Sequence, residues 1–530
     1  MPTNPPRPSI VAVLEIGSSA IHMTLTQFTP EGPVVLEELG KSIRLAKDAF
    51  SRGALSKSLV ADLVALLGKY RQACRDYGVS EICAVATSSV AAAENMDILI
   101  DHIRLETGIE VEPISSLVEI ETIYLALRER LALEKKLVTG EVRGMLKIGA
   151  GSVFLTLFDG EHILASFTLP LGVVQLRQIF ESHAQEEIDF PTYLRISVDH
   201  ELAMLASSFP VKKIEVMYAF GNEMEALQKI LDTEFPKSGA GPSKESRTSV
   251  SPAALEAFLG RIKGMGREEL VSTFGIPYDL TEFFFAVTYI LHRVSMFFES
   301  CSMEIAPVNL RDGLLIRHLQ PAADEKDLLR IERQLYQDAL NIGRALRFEE
   351  AHALTVTEFA LKIFDLSQAQ HGLGKMERSY LMTASILHDV GYAVSYAAHH
   401  KHSFYIIMAK EFFFISEREK LMIALIARYH RKAGAKSTHP DFQSLSRREK
   451  MTVLKLASIL RIAEGLDYQR VKNVKSINLR RTDDGIVFEV ETSGNLFGEI
   501  YSFNEKKAMF EDLFGVSLSL SVRNENRVRA

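Results

Sequence analysis

Ile10–Leu14 and Ile21–Phe28 are apolar, β-branched runs with alternating character, separated by Gly17-Ser18-Ser19. That pattern predicts a strand, a tight turn and a second strand. A helix is expected across Ser56–Tyr77, a strand at Glu81–Thr87, a helix across Asn95–Thr107 and a strand at Glu110–Ile114. The opening pattern then returns, with Gly144–Ile148, the turn Gly149-Ala150-Gly151-Ser152 and Val153–Phe158. A strand, glycine turn and strand occurring twice predicts a duplicated α/β fold with a cleft between its halves.

Further along, the Gly/Ser/Pro-rich stretch from Pro236 to Pro252 reads as an exposed loop. After Pro321 the apolar residues recur with helical period up to about Asp467. From Val474 two alternating runs flank Asp483-Asp484-Gly485, a hairpin signal, and a helix and a last apolar run follow. The expected organisation is therefore α/β plus α: lobes at 1–135 and 136–320, a helical domain at 321–472 and a small α+β tail at 473–530.

Composition narrows the function classes. A chain of 530 residues suggests three or four domains at roughly 150 residues each. With 47% hydrophobic and 24% charged residues it is an ordinary folded chain rather than a disordered or fibrous one. A net charge of -7 gives no polycation for duplex nucleic acid, so any anion site is local. Cys74, Cys83 and Cys301 are far apart and lack CxxC spacing, which excludes a disulfide framework or a zinc ribbon. The Pro-rich start lacks the plan of a signal peptide, and Phe283–Leu291 is too short to span a bilayer. A cytoplasmic protein with no membrane partner is expected.

Glycine turns between strands let backbone N–H groups approach an anion closely. Here the sequence adds more than turns. VLEIGSSAIHM at 13–23, ATSSV at 86–90, ISSLVEIETIYL at 114–125, KIGAGSVF at 147–154, LPLGVVQL at 169–176 and NLRDGLL at 309–315 follow one another in order. Together they resemble the exopolyphosphatase and guanosine pentaphosphate phosphohydrolase (Ppx/GppA) family, in its long form.

The resemblance implies two actin-like (ribonuclease H-like) lobes. It also implies polyphosphate or a phosphorylated guanosine nucleotide as ligand, magnesium in the cleft and a homodimer. It points to Glu119 as the base that activates water, and to Gly17, Ser18, Ser19, Lys147, Gly149, Gly151, Ser152, Gly221 and Arg311 as phosphate-binding positions. Several positions depart from the family pattern. Its metal-binding aspartate is Lys147, its closing glutamate is Phe154, its opening aspartate is Glu15, and arginines are replaced by Glu121 and Ala91. Placing an ammonium where a metal carboxylate belongs changes the local charge by two units. One unit charge at about 4 Å is worth about 4 kcal/mol at an effective dielectric near 20. An impaired cleft is therefore expected, with Lys147 either paired to Glu15 across the two turns or free to bind phosphate.

The helical segment carries His352, His388-Asp389, HHKHS at 399–403, RYHRK at 428–432 and RIAEGLD at 461–467. This set resembles the HD family of metal-dependent phosphohydrolases. His352 shares a helical face with Val356, Phe359 and Ile363, and His430 lies on the face of Ile423 and Ala427. Imidazole and carboxylate donors on rigid helices suit a divalent transition metal. His352, His388, Asp389, His402, His430, Glu464 and Asp467 are the candidate ligands. The readings that compete are an exopolyphosphatase-type phosphohydrolase with an impaired cleft, a catalytically dead polyanion-binding regulator, and an HD metal phosphohydrolase.

Overall fold

The computed structural model describes residues 9–524 apart from 31, 44, 184–187, 207–212, 215, 235–248, 279, 300, 320–324, 432–437, 483–484 and 493. The chain forms two compact units, Met1–Pro321 and Ala322–Ala530. Most of the expected loop from Pro236 lies outside the described residues, as do Asp483 and Asp484 of the expected hairpin turn.

The first unit holds two mixed sheets of matching topology. In one, β1 (Ile10–Ile16), β2 (Ala20–Thr29), β3 (Gly32–Ser42), β4 (Glu81–Ala86) and β5 (Val111–Pro113) stand in the order β3-β2-β1-β4-β5. In the other, β6 (Arg143–Ile148), β7 (Val153–Phe158), β8 (Ile163–Leu169), β9 (Val216–Phe220), β10 (Ser249–Val250) and β11 (Ser302–Ile305) stand in the order β10-β11-β9-β6-β7-β8. β1 pairs antiparallel with β2 and parallel with β4, and β6 does the same with β7 and β9. Each sheet has its own apolar core. One is built on Leu14, Ile16, Leu63 and Leu99, the other on Leu146, Leu155, Phe258 and Phe284.

The two glycine turns are superposable in register. Gly17 donates its N–H to the Ala20 carbonyl at 3.0 Å, and Gly149 donates to Ser152 at 2.8 Å. Glu15 pairs with His22 across the first hairpin, and Lys147 with Phe154 across the second. Glu15 and Lys147 are thus structurally equivalent, as are His22 and Phe154. Strands β3, β8, β9, β10 and β11 have no counterpart among the predicted elements. β3 is largely exposed and has no continuous apolar face to announce it.

The second unit is helical. Its main helices are Glu325–Ala345, Glu350–Leu366, Lys375–Leu387, His399–Met408, Glu417–Arg428 and Arg447–Gly465. A three-stranded sheet, β12 (Val474–Thr482), β13 (Gly485–Thr492) and β14 (Ser517–Asn524), follows, with β12–β13 antiparallel and β13–β14 parallel. One core runs from Leu335 on the first helix to Leu518 on β14, so the strands after 473 pack with the helices as one body. Among the described residues no helix is long and apolar enough to cross a membrane.

Candidate functional sites

In the first unit a cleft is lined by both glycine turns, Glu15, His22, Glu119, Lys147, Phe154, Gly221, Glu223 and Arg311. Glu119 sits in the first turns of the helix Ser116–Leu133, whose start is capped by the Ser115 hydroxyl accepting from Val118 N–H at 3.3 Å. The Glu119 side chain is buried. Its Oε2 accepts from the Ser88 hydroxyl at 3.0 Å and from the Ser88 N–H at 3.4 Å. Its Oε1 is in contact with the Lys147 ammonium.

Lys147 stands on β6 between Phe220 of β9 and Phe154 of β7, and its Nζ lies 5.9 Å from the Phe154 ring. Burial pushes the Lys147 ammonium below its usual range, against the opposing pull of Glu15 and Glu223. The expected Glu15–Lys147 pair does not form. Arg311 reaches Glu15 from a distant helix instead, with Nη1 at 2.9 Å from Glu15 Oε2 and Nε at 3.0 Å from Thr24 Oγ1. The planar guanidinium bonds Glu15 and Thr24 together, while the Lys147 ammonium is taken up by Glu119.

That helix, Leu310–Leu319, comes close because residue 313 is glycine: a Cβ there would lie 2.0 Å from the Thr122 carbonyl oxygen. Glu121 is also buried and is bonded by Arg317 at 3.3 Å, so its charge is matched. Of the phosphate-binding candidates, Gly17, Ser18, Ser19, Lys147, Gly149, Gly221 and Arg311 line the cleft. Gly151 and Ser152 do not; Ala150 lines it in their place, and Gly151 packs against Gly172. His22, Ser88 and Glu223 escaped sequence reading, although Ser88 closes the Ala-Thr-Ser run. Burial, helped by Arg311, holds the His22 imidazole below its ordinary value, with Glu15 and Glu38 opposing.

The second unit gathers four imidazoles around one carboxylate. The Nδ1–H of His388 donates to the Ser385 carbonyl at 2.7 Å, and that of His430 to Ala427 at 2.5 Å. His399 Nδ1 faces the Tyr396 carbonyl at 3.4 Å, and His352 Nδ1 is 2.7 Å from Asp467 Oδ2. With Nδ1 so engaged, every Nε2 turns toward Asp389. Oδ2 lies 3.4 Å from His388 and 3.8 Å from His352, while Oδ1 lies 3.2 Å from His399 and 3.8 Å from His430. The Nε2 atoms of His352 and His388 are buried and make no hydrogen bond. Burial pushes the Asp389 carboxyl up, but the imidazoles of His388, His399 and His430 outweigh it and hold it below the usual range. His352 and His430 are held below their ordinary value, chiefly by burial.

Asp467 is one step removed from Asp389: it holds His352, and its Oδ1 accepts from Lys472 N–H at 3.1 Å. Glu464 and His402 belong to neither converging group. Glu464 pairs with Lys506 instead. His399 takes the place expected for His402, because the helix begins at His399 after Ala398 in a left-handed conformation (φ 57°). Gly391 lets the preceding turn approach that helix, since a Cβ there would lie 2.0 Å from the His399 carbonyl.

A family model for the Ppx/GppA phosphatase family matches residues 26–322, and one for Ppx/GppA phosphatase domain III matches residues 337–500. The chain belongs to the Ppx/GppA phosphatase family. Exopolyphosphatase 1 of Mycobacterium leprae is 25% identical over 317 residues, 59% of this chain and 91% of the relative. Exopolyphosphatase 1 of Mycobacterium tuberculosis is 26% identical over 326 residues, 60% of this chain and 91% of the relative. Among solved structures, an exopolyphosphatase from Cytophaga hutchinsonii aligns with 59% of this chain and 98% of its own, at 18% identity and a TM-score of 0.51. The first unit therefore has the actin-like α/β fold of that family.

Proposed function

We propose that this protein is a Ppx/GppA-type binder of inorganic polyphosphate or guanosine pentaphosphate whose hydrolytic cleft is impaired. The contact between Lys147 and Glu119 carries this reading. A carboxylate that activates water must offer a lone pair to the water's proton. The ammonium on Oε1 and Ser88 on Oε2 compete for those lone pairs, and the positive charge opposes uptake of a proton from water.

The divalent ion implied by family resemblance does not fit this cleft. Glu15 is engaged by Arg311, Glu119 by Lys147, and Phe154 offers no donor atom. Anion binding is better supported. Two cations already stand inside the cleft beside the Gly17 and Gly149 turns, and a polyphosphate chain competes with Glu15 and Glu119 for them. The test is phosphate release from polyphosphate and from guanosine pentaphosphate, beside equilibrium binding of both. Binding without release at enzymatic rates is expected; rapid release that Glu119→Gln abolishes contradicts the reading.

A second reading is favoured by one observation, the two buried and unpartnered Nε2 atoms. The helical unit is proposed to be an HD-type metal centre held by His352, His388, Asp389, His399 and His430, with Asp467 orienting His352; an ion there displaces Arg470, which bonds Asp389 Oδ2 at 2.7 Å. Donor atoms 3.2–3.8 Å apart suit ligands sharing an ion at about 2.0–2.2 Å. Such an ion supplies Lewis acidity toward a phosphoryl oxygen. Metal analysis of purified protein tests it.

A further inference from the structure

Glu15 and Lys147 hold equivalent places, each two residues before the glycine of its turn, yet they carry opposite charges. Each is answered by a side chain from another element. Arg311 reaches Glu15 Oε2 at 2.9 Å, and the Glu119 carboxylate takes the Lys147 ammonium. The carboxylates that could ligate an ion beside the two turns are therefore already matched by cations of the chain itself. Phe154, opposite Lys147 in register, adds no oxygen, and its ring centre lies 5.9 Å from Nζ. Magnesium asks for a near-octahedral set of oxygens at about 2.0–2.1 Å. Here it would meet an ammonium and a guanidinium, and each repels a doubly charged ion twice as strongly as a singly charged one.

The same two cations keep donors for a ligand. An ammonium has three N–H groups, and the Lys147 side chain, 22% exposed, lines the cleft while it holds Glu119. A guanidinium is a fork of N–H donors. Nε of Arg311 goes to Thr24 and Nη1 to Glu15, which leaves Nη2 without a bond among the described residues. Glu15 and Glu223 favour the charged form of the lysine against burial. A phosphate oxygen can thus share each cation with the carboxylate that already holds it, beside the backbone of the Gly17 and Gly149 turns.

We propose that Lys147 and Arg311 stand in for a divalent ion, so that the cleft takes a phosphate chain free of metal and magnesium works against binding. This rests on the proposed anion binding of the cleft. Magnesium complexes phosphate chains in solution; the complex has lost charge that the two side chains need and presents a cation to them.

The experiment is calorimetric titration of full-length protein with sodium tripolyphosphate at constant ionic strength, so that screening does not change. It is run with a chelator and then in rising magnesium, with circular dichroism to confirm that each variant is folded. Lys147→Met is expected to weaken metal-free binding about tenfold, the scale of one lost hydrogen bond to a charged group. The magnesium effect is read on the binding that this variant removes, and excess magnesium is expected to weaken that binding about tenfold or more. Glu119→Gln keeps the shape of the side chain and removes the competitor for the ammonium, so it is expected to tighten metal-free binding. Magnesium that strengthens the Lys147-dependent binding overturns the proposal and leaves anion binding in place. Metal-free binding that Lys147→Met leaves unchanged lies outside the cleft and also overturns it, as does Glu119→Gln protein that binds more weakly than wild type. No binding with or without magnesium overturns the anion-binding reading itself, and this proposal with it.

Discussion

Lys147 and Glu119 form an ion pair in the cleft of the first unit, the ammonium on Oε1 and Ser88 on Oε2 of the same carboxylate. The Lys147 side chain is 22% exposed and that of Glu119 only 2%. Removing the lysine alone leaves a buried carboxylate without its cation. Breaking a fully buried pair costs about 3–5 kcal/mol, and solvent reaching the lysine lowers that to about 1–3 kcal/mol. Lys147→Met is expected to destabilise by that amount, and Lys147→Met combined with Glu119→Gln by less than the sum of the single changes. Urea unfolding of the three variants reads the coupling; strict additivity contradicts the pair.

The approach of the helix Leu310–Leu319 to the helix Ser116–Leu133 sets the position of Arg311. Gly313→Ala would put a methyl group 2.0 Å from the Thr122 carbonyl. Backbone must move to relieve it, and overpacking of this kind costs about 1–3 kcal/mol. A lowered thermal midpoint is expected, together with weaker polyphosphate binding as Arg311 is displaced from the cleft. An unchanged midpoint would show that the two helices have slack.

The histidine cluster predicts metal uptake. Protein purified after growth with manganese or iron is expected to retain metal, and His388→Ala or His430→Ala to lose it. Saturating metal at about 100 times its dissociation constant adds about 2.7 kcal/mol to stability. A chelator should therefore lower the thermal midpoint of wild-type protein and leave that of His388→Ala unmoved. Equal metal content in the wild type and both variants would contradict the site.

His371 predicts a pH dependence outside that cluster. Its Nε2–H donates to the Phe364 carbonyl at 2.8 Å, while Nδ1 accepts from Leu373 N–H at 2.9 Å, so the ring must be neutral. Burial, helped by Lys455, holds the imidazole below its ordinary value of 6.5. Below that value the unfolded chain takes up a proton that the folded chain refuses. The contribution is present above about pH 6.5 and is lost as pH falls toward the folded value, at up to about 1.4 kcal/mol per pH unit. Between pH 7 and 5, wild-type stability in urea is expected to fall more steeply than that of His371→Gln. Parallel curves would contradict the assignment.

Much of this fold could be read from alternation and glycine placement. The hairpins β1–β2 and β6–β7 were expected at their observed turns, because both strands of each carry buried apolar residues on either side of a glycine. Strand β3 gave no such signal, since its residues are mostly exposed. In the helical unit, period alone placed His352, His388 and His430 inward. In the helix His399–Met408, His402 was the candidate, but His399 converges on Asp389, because the phase of that helix is set by Ala398 at its start. Partners distant in sequence were out of reach. Glu15 meets Arg311 and Glu464 meets Lys506 through tertiary packing that no local pattern encodes.

Steady-state phosphate release from long-chain polyphosphate with magnesium shows whether the proposed Lys147–Glu119 lock disables the cleft. Wild-type turnover is expected to fall far below the range of about 1 to 1,000 per second usual for enzymes, and Glu119→Gln to change it little. Turnover within that range, abolished by Glu119→Gln, would contradict the account.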